Sequence, residues 1–166
     1  MELRRQIDEY LAHWWIEPAQ SAFESGVLFA KKHDGTKRMC VDYRRLNGLT
    51  QKVVYPMPRI DECINHMREA TVFTKMDLRS GFHQILVFPE HKEQTAFQTR
   101  WGTFQYCVMP FGLCNAPATF QRTMNALLQE FHAFCEVYVN DIVVYSKILA
   151  EHAKHLALVL GKLQAE

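Results

Sequence analysis

Tyr138, Asn140 and Asp141 lie inside an apolar, β-branched run, Val137-Tyr138-Val139-Asn140-Asp141-Ile142-Val143-Val144-Tyr145. Two strand-like segments around a two-residue Asn140-Asp141 break predict a β-hairpin that holds a carboxylate at its tip. A second carboxylate, Asp77, ends the similar segment Val72-Phe73-Thr74-Lys75-Met76-Asp77 and is followed by Leu78-Arg79-Ser80-Gly81-Phe82. Carboxylates at the ends of two strands are suited to gripping divalent metal ions against a phosphate. Position 140 offers a neutral amide where such a site calls for a third charge.

The elements that must hold these groups follow from periodicity. Leu3, Ile7, Leu11 and Trp14 recur on one face of a first helix, which Glu17-Pro18 is expected to stop. Strands over 27–31 and 38–43 are joined through His33-Asp34-Gly35-Thr36, with glycine supplying the awkward backbone angle. Tyr55-Pro56-Met57-Pro58 forces an extended connector, and Ile60, Ile64 and Met67 predict a short helix before the Asp77 strand. Residues 95–100 and 103–109 predict a hairpin turning at Trp101-Gly102. Asn115 is placed to cap a helix whose stripe is Phe120, Met124, Leu127, Leu128 and Phe131. His152, Leu156, Val159, Leu160 and Leu163 mark a last helix. Helices packed on antiparallel sheet make the predicted class α+β.

The chain has 166 residues, 48% hydrophobic and 22% charged, which suits a globular domain with a conventional core. No apolar stretch follows Met1-Glu2-Leu3-Arg4-Arg5 to serve as a signal peptide. The uncharged stretch from Trp101 to Gln121 contains Gly102, Pro110, Gly112 and Pro117, so a membrane span is not expected. The five cysteines form no Cys-x-x-Cys pair and are expected to be reduced core residues, as in a cytoplasmic or nuclear protein. His152 and His155 share a helix face but lack the carboxylate or cysteine set of a zinc site. The net charge of +1 hides a cluster: between Lys31 and Lys52, seven positive residues against two acidic ones leave +5. That surface is either phosphate-facing or merely solvated.

Several segments in order resemble the reverse transcriptase domain of long-terminal-repeat retrotransposons of the Ty3/gypsy type, across nearly the whole chain. They are Lys31-Lys32-His33-Asp34-Gly35, Arg38-Met39-Cys40-Val41-Asp42-Tyr43-Arg44-Arg45-Leu46-Asn47, Tyr55-Pro56-Met57-Pro58-Arg59-Ile60-Asp61 and Met76-Asp77-Leu78-Arg79-Ser80-Gly81-Phe82-His83-Gln84-Ile85. Thr95-Ala96-Phe97, the run from Val108-Met109-Pro110-Phe111-Gly112 to Phe120-Gln121, and the Tyr138 hairpin complete the set. The resemblance implies fingers, about 1–52 and 85–114, and palm, about 53–84 and 115–166, with the thumb absent. It implies an RNA-directed DNA polymerase, a nucleotidyltransferase that acts on an RNA or DNA template-primer and deoxynucleotides through Mg²⁺ or Mn²⁺. On this resemblance Asp77 and Asp141 hold metal, with Asn140 in place of the remaining catalytic aspartate. Phe82 matches the aromatic that excludes a ribose 2′-hydroxyl, Arg38 and Lys32 match cations on the triphosphate, and Phe111 and Gly112 form the floor under the nucleotide. Tyr138 and Gln121 fall at primer and template.

The family hairpin reads Tyr-x-Asp-Asp, and Asn140 stands at its first acidic position. A unit charge 4 Å from an opposite one contributes on the order of 4 kcal/mol at an effective dielectric near 20, so this exchange implies an impaired metal site and impaired polymerisation. The chain also stops soon after the hairpin, so the resemblance extends to fingers and palm of a polyprotein fragment. Two readings stay open: an impaired polymerase domain, or a non-catalytic retroelement-derived module that binds nucleic acid or a protein partner. Either is expected to be intracellular, cytoplasmic or nuclear, with no membrane partner.

Overall fold

The computed structural model describes residues 2–31 and 35–165. Its strands, in chain order, are β1 (Ile16–Pro18), β2 (Val27–Lys31), β3 (Lys37–Val41), β4 (Val72–Asp77), β5 (Phe97–Thr99), β6 (Gly102–Tyr106), β7 (Cys135–Tyr138) and β8 (Asp141–Ser146). Its helices are α1 (Glu2–Ala12), α2 (Arg44–Leu49), α3 (Ile60–His66), α4 (Pro89–Lys92), α5 (Ala116–Leu128) and α6 (Leu149–Ala165). The strands pair antiparallel in three sheets, ordered β1-β6-β5, β2-β3 and β4-β8-β7, so the fold is α+β. Two compact units divide the chain, Met1–Lys52 with Ser80–Ala116 and Val53–Arg79 with Pro117–Glu166. Among the described residues, no helix is long and apolar enough to cross a membrane.

The first unit is built on Ile7, Ile16, Met39, Val41, Tyr43, Phe97, Phe104, Tyr106 and Val108, all buried. Buried Gln6 staples α1 to β3: its Nε2 donates to the Lys37 carbonyl at 2.8 Å and its Oε1 accepts the Met39 N–H at 2.7 Å. Helix α1 ends at Ala12, and Glu17-Pro18, expected to be its stop, lie in β1 instead. The Trp14 N–H donates to the Leu11 carbonyl and the Trp15 N–H to the Tyr10 carbonyl, the closing pattern of a helix whose next residue turns left-handed. That residue is Trp14, at φ 57 and 81% exposed, so the predicted apolar face loses its last member. Trp15 faces inward instead, 5.3 Å from Tyr10 and 4.3 Å from His83 between ring centroids. Pro18 is tolerated because β1 is an edge strand, where a missing N–H breaks no ladder on its outer side.

The second unit centres on the β4-β8-β7 sheet. Its core includes Ile142, Val144, Val137 and Cys135 from the strands, Phe120, Met124 and Leu128 from α5, and Val159 from α6. A polar seam crosses this apolar contact. His152 Nε2 lies 2.8 Å from Thr74 Oγ1, and Ser146 Oγ lies 2.9 Å from His152 Nδ1 and 2.8 Å from His155 Nδ1. The two histidines thus join α6 to β4 and β8, and His155 stacks on Phe134 at 3.8 Å. All five cysteines are free, though Cys135 alone among them is buried.

Candidate active site

Residues from the second unit form the first cluster. In the β4-β8 register Asp77 lies directly opposite Asp141, and Asp141 in turn faces Tyr138 on β7. Alternation along β4 places Lys75 on the same exposed face as Asp77. Its Nζ lies 2.9 Å from Asp141 Oδ2. Asn140 accepts the Leu78 N–H on its backbone carbonyl at 3.3 Å, while its side-chain Oδ1 is buried with no hydrogen-bond partner.

The tip of the hairpin differs from the predicted Asn140-Asp141 break. The two turn residues are Val139 and Asn140, and Asp141 already belongs to β8, paired with Tyr138. Val139 takes φ 51, a conformation uncommon for a β-branched residue. Gln121 secures it, since its Oε1 accepts the Val139 N–H at 2.6 Å and its Nε2 donates to the Val137 carbonyl at 2.9 Å. The same Nε2 is 2.8 Å from Asn125 Oδ1, and Asn125 Nδ2 donates to the Tyr55 hydroxyl at 3.0 Å. With Gln121 fully buried and both ends of its amide engaged, the residue expected at primer and template supports the hairpin from beneath.

The second cluster belongs to the first unit. Phe82 sits in the 3₁₀ turn Gly81–Gln84, entered through Ser80 at φ 54, and its ring lies 4.9 Å from that of Phe111. The Arg38 guanidinium lies over the Phe111 ring at 5.2 Å, a cation–π contact. His83 packs edge-on against Phe111 at 5.3 Å; burial, and then the charge of Arg38, lower its pKa to about 4. Gly112, at φ 98, closes the Phe111 loop. Asn47 grips that loop from α2, donating from Nδ2 to the Gly112 carbonyl and accepting the Cys114 N–H on Oδ1, both at 2.8 Å. Lys32 lies outside the described residues.

Three contributors, Lys75, Asn47 and His83, were not singled out from sequence, and Gln121 was expected in a different role. Lys75 was readable in principle, two residues before Asp77 and so on the same strand face. The hairpin support by Gln121, the loop grip by Asn47 and the inward packing of His83 depend on partners distant in sequence, and no local pattern announces them. Among the described residues no three His, Cys, Asp or Glu side chains gather as a metal cage.

Comparison with known proteins agrees with this arrangement of elements. Residues 30–166 match the family model described as reverse transcriptase (RNA-dependent DNA polymerase). The chain is 40% identical to the retrovirus-related Pol polyprotein from transposon 297 of Drosophila melanogaster, over 98% of this chain and 16% of the relative. It is 38% identical to the transposon Tf2-3 polyprotein of Schizosaccharomyces pombe, over 96% of this chain and 12% of the relative. A foamy viral protease-reverse transcriptase solved in complex with double-stranded DNA superimposes with a TM-score of 0.91 at 24% identity, covering 98% of this chain and 29% of that one. The chain therefore belongs to the reverse transcriptase family, as a reverse-transcriptase-like domain of Ty3/gypsy-type retrotransposon origin. It spans less than a fifth of the length of these transposon relatives.

Proposed function

We propose that the second unit serves as the palm of an RNA-directed DNA polymerase and the first as its fingers, acting on an RNA or DNA template-primer and deoxynucleotides. The observation that carries this reading is the register pairing of Asp77 with Asp141, two carboxylates opposed at the end of a three-stranded sheet. In this reading Arg38 and Lys32 neutralise the triphosphate of the incoming nucleotide. Phe82 stands against its sugar, and Phe111 with Gly112 forms the surface under it. Tyr138 lies beside the primer end, and Gln121 acts indirectly by holding the turn that carries Asn140.

Donor chemistry fits one divalent cation. Asp141 already attracts the ammonium of Lys75, and Asn140 Oδ1 is a buried oxygen without a partner. Asp77 and Asp141 would hold that ion, Mg²⁺ or Mn²⁺, with Asn140 able to add a neutral oxygen. A bound metal would favour ionisation of the primer hydroxyl and offset charge on the leaving pyrophosphate. Two carboxylates and one ammonium sum to a single negative charge, which is poorly matched to a pair of divalent ions. Polymerisation is accordingly impaired in this reading, with Asn140 as one cause.

A second reading, a nucleic-acid-binding module without catalysis, is favoured by the β2-β3 ribbon. There Lys31 pairs directly opposite Lys37, an arrangement of like charges that costs folding stability and that a bound phosphate relieves. Primer extension with Mg²⁺ or Mn²⁺ separates the two. Under the first reading Asn140→Asp extends a primer at least tenfold faster than the unaltered chain. Template-primer binding by both proteins with extension by neither supports the second.

A further inference from the structure

We infer that Lys75 is a built-in counter-ion of Asp141, and that a divalent cation reaches the palm carboxylates by displacing its ammonium. The inference rests on the reading of Asp77 and Asp141 as the metal-holding pair and adds what governs their occupancy. Lys75 sits opposite Val143 in the β4-β8 register, so Asp141 is its diagonal neighbour two residues along β8. A diagonal cross-strand pair is within reach of a long side chain. The row containing Lys75 and Val143 ends on β7 at Glu136, a second acid across the sheet. Glu136 is engaged from α3 by His66 Nδ1 at 2.6 Å, and the Lys75 ammonium lies 2.9 Å from Asp141 Oδ2.

Occupancy is therefore a competition between charges. With aspartate at position 140, three carboxylates against one ammonium would leave a strongly anionic pocket, and a divalent ion would displace lysine easily. With Asn140 the balance is one negative charge, and Lys75 neutralises half of the carboxylate charge. The pair is open to solvent, the Lys75 side chain 65% and the Asp141 side chain 42% exposed, so the ammonium is held loosely enough to exchange. Lys75 thus sets the metal threshold of this palm alongside Asn140, and restoring aspartate alone recovers only part of the affinity.

Binding of Mn²⁺ alone, followed by the loss of the free-ion electron paramagnetic resonance signal, tests this on the full chain. Lys75→Met is expected to tighten Mn²⁺ binding roughly three- to tenfold, both in the unaltered background and combined with Asn140→Asp, from removal of the competing ion and its repulsion. Lys75→Arg, which keeps the charge, is expected to leave affinity near its starting value. If Asn140→Asp binds Mn²⁺ and adding Lys75→Met changes nothing, the counter-ion inference fails while the metal-site reading stands. If no variant binds Mn²⁺, or if Asp141→Asn leaves the binding intact, the metal-site reading fails and takes the inference with it.

Discussion

Gln121 Oε1 accepts the Val139 N–H at 2.6 Å, and this bond secures the one β-branched residue that the hairpin turn holds at positive φ. The left-handed region costs a non-glycine residue roughly 1–2 kcal/mol, and here the buried amide offsets it. Gln121→Leu leaves the Val139 N–H and the Val137 carbonyl without a partner, each at about 1–3 kcal/mol. Urea unfolding is therefore expected to show a loss of about 2–4 kcal/mol. Val139→Gly releases the strain but adds chain entropy to the unfolded state, for a net change within about 1 kcal/mol. A large loss on Val139→Gly would mean that the valine side chain packs for stability and that the turn stores little strain.

His83 should make the first unit sensitive to mild acid. Its pKa is lowered to about 4 in the fold, first by burial and then by Arg38, from an ordinary value near 6.5. The unfolded chain thus takes up a proton before the folded one. Stability is complete above about pH 6.5, falls as the pH drops towards 4, and levels off once both states are protonated. The shift corresponds to a loss on the order of 3 kcal/mol. His83→Phe removes the titrating group together with the buried Nδ1 that has no partner. The variant is expected to match or exceed the parent at pH 7 and to lack the decline above pH 4. A parent and variant with parallel pH profiles would assign the acid sensitivity elsewhere.

How far sequence reading reached depended on how local the cause was. The β2-β3 ribbon, the Asp77 strand, the Trp101-Gly102 hairpin and the helices at 60–66 and 149–165 follow from periodicity and turn residues, and the fold has them with boundaries shifted by a few residues. The break between β7 and β8 was misplaced by one residue because asparagine is the better turn former, yet Gln121 holds Val139 in the turn from a distant helix. Helix α2 went unnoticed because its six residues include Asn47 and Gly48, and its purpose is tertiary. The opposed pair of Asp77 and Asp141 was legible because both acids mark strand ends. Lys75 on Asp141 was not, because selecting that partner requires the register.

The Phe111-Gly112 loop offers a test of coupling between α2 and the nucleotide floor proposed above. Gly112 has φ 98, and a Cβ there would meet Tyr43 Cδ2 and the Val41 carbonyl at 3.6 Å, an ordinary contact. Gly112→Ala should therefore cost about 1–2 kcal/mol from backbone conformation alone. Asn47→Ala strands the Gly112 carbonyl and the Cys114 N–H at a cost of about 1–3 kcal/mol. The double variant should fall short of the sum by at least about 0.5 kcal/mol, since a loop already released by one change has less to lose from the other. Strict additivity in urea unfolding would show that Asn47 does not hold the loop.

Nucleic-acid binding by the β2-β3 ribbon should be governed by counterion release. Lys31, Lys37 and Arg38 are exposed on the described part of that ribbon, and Lys31 faces Lys37 across it. Cations that meet phosphates release bound counterions, so the logarithm of the affinity falls linearly with the logarithm of salt, by about 0.7 per contact on a single strand and about 0.9 on a duplex. Binding should be independent of sequence, because these side chains carry charge and no base-reading geometry. Changing Lys31 and Lys37 to Ala should lower the slope by roughly 1.4 on single-stranded RNA, measured by fluorescence anisotropy across a salt series. The same pair of changes should leave thermal stability equal or slightly raised, since it removes a like-charge pair from directly opposed positions. A slope unchanged by both substitutions would show that phosphates are held elsewhere, and that the ribbon's charge serves only to keep it solvated.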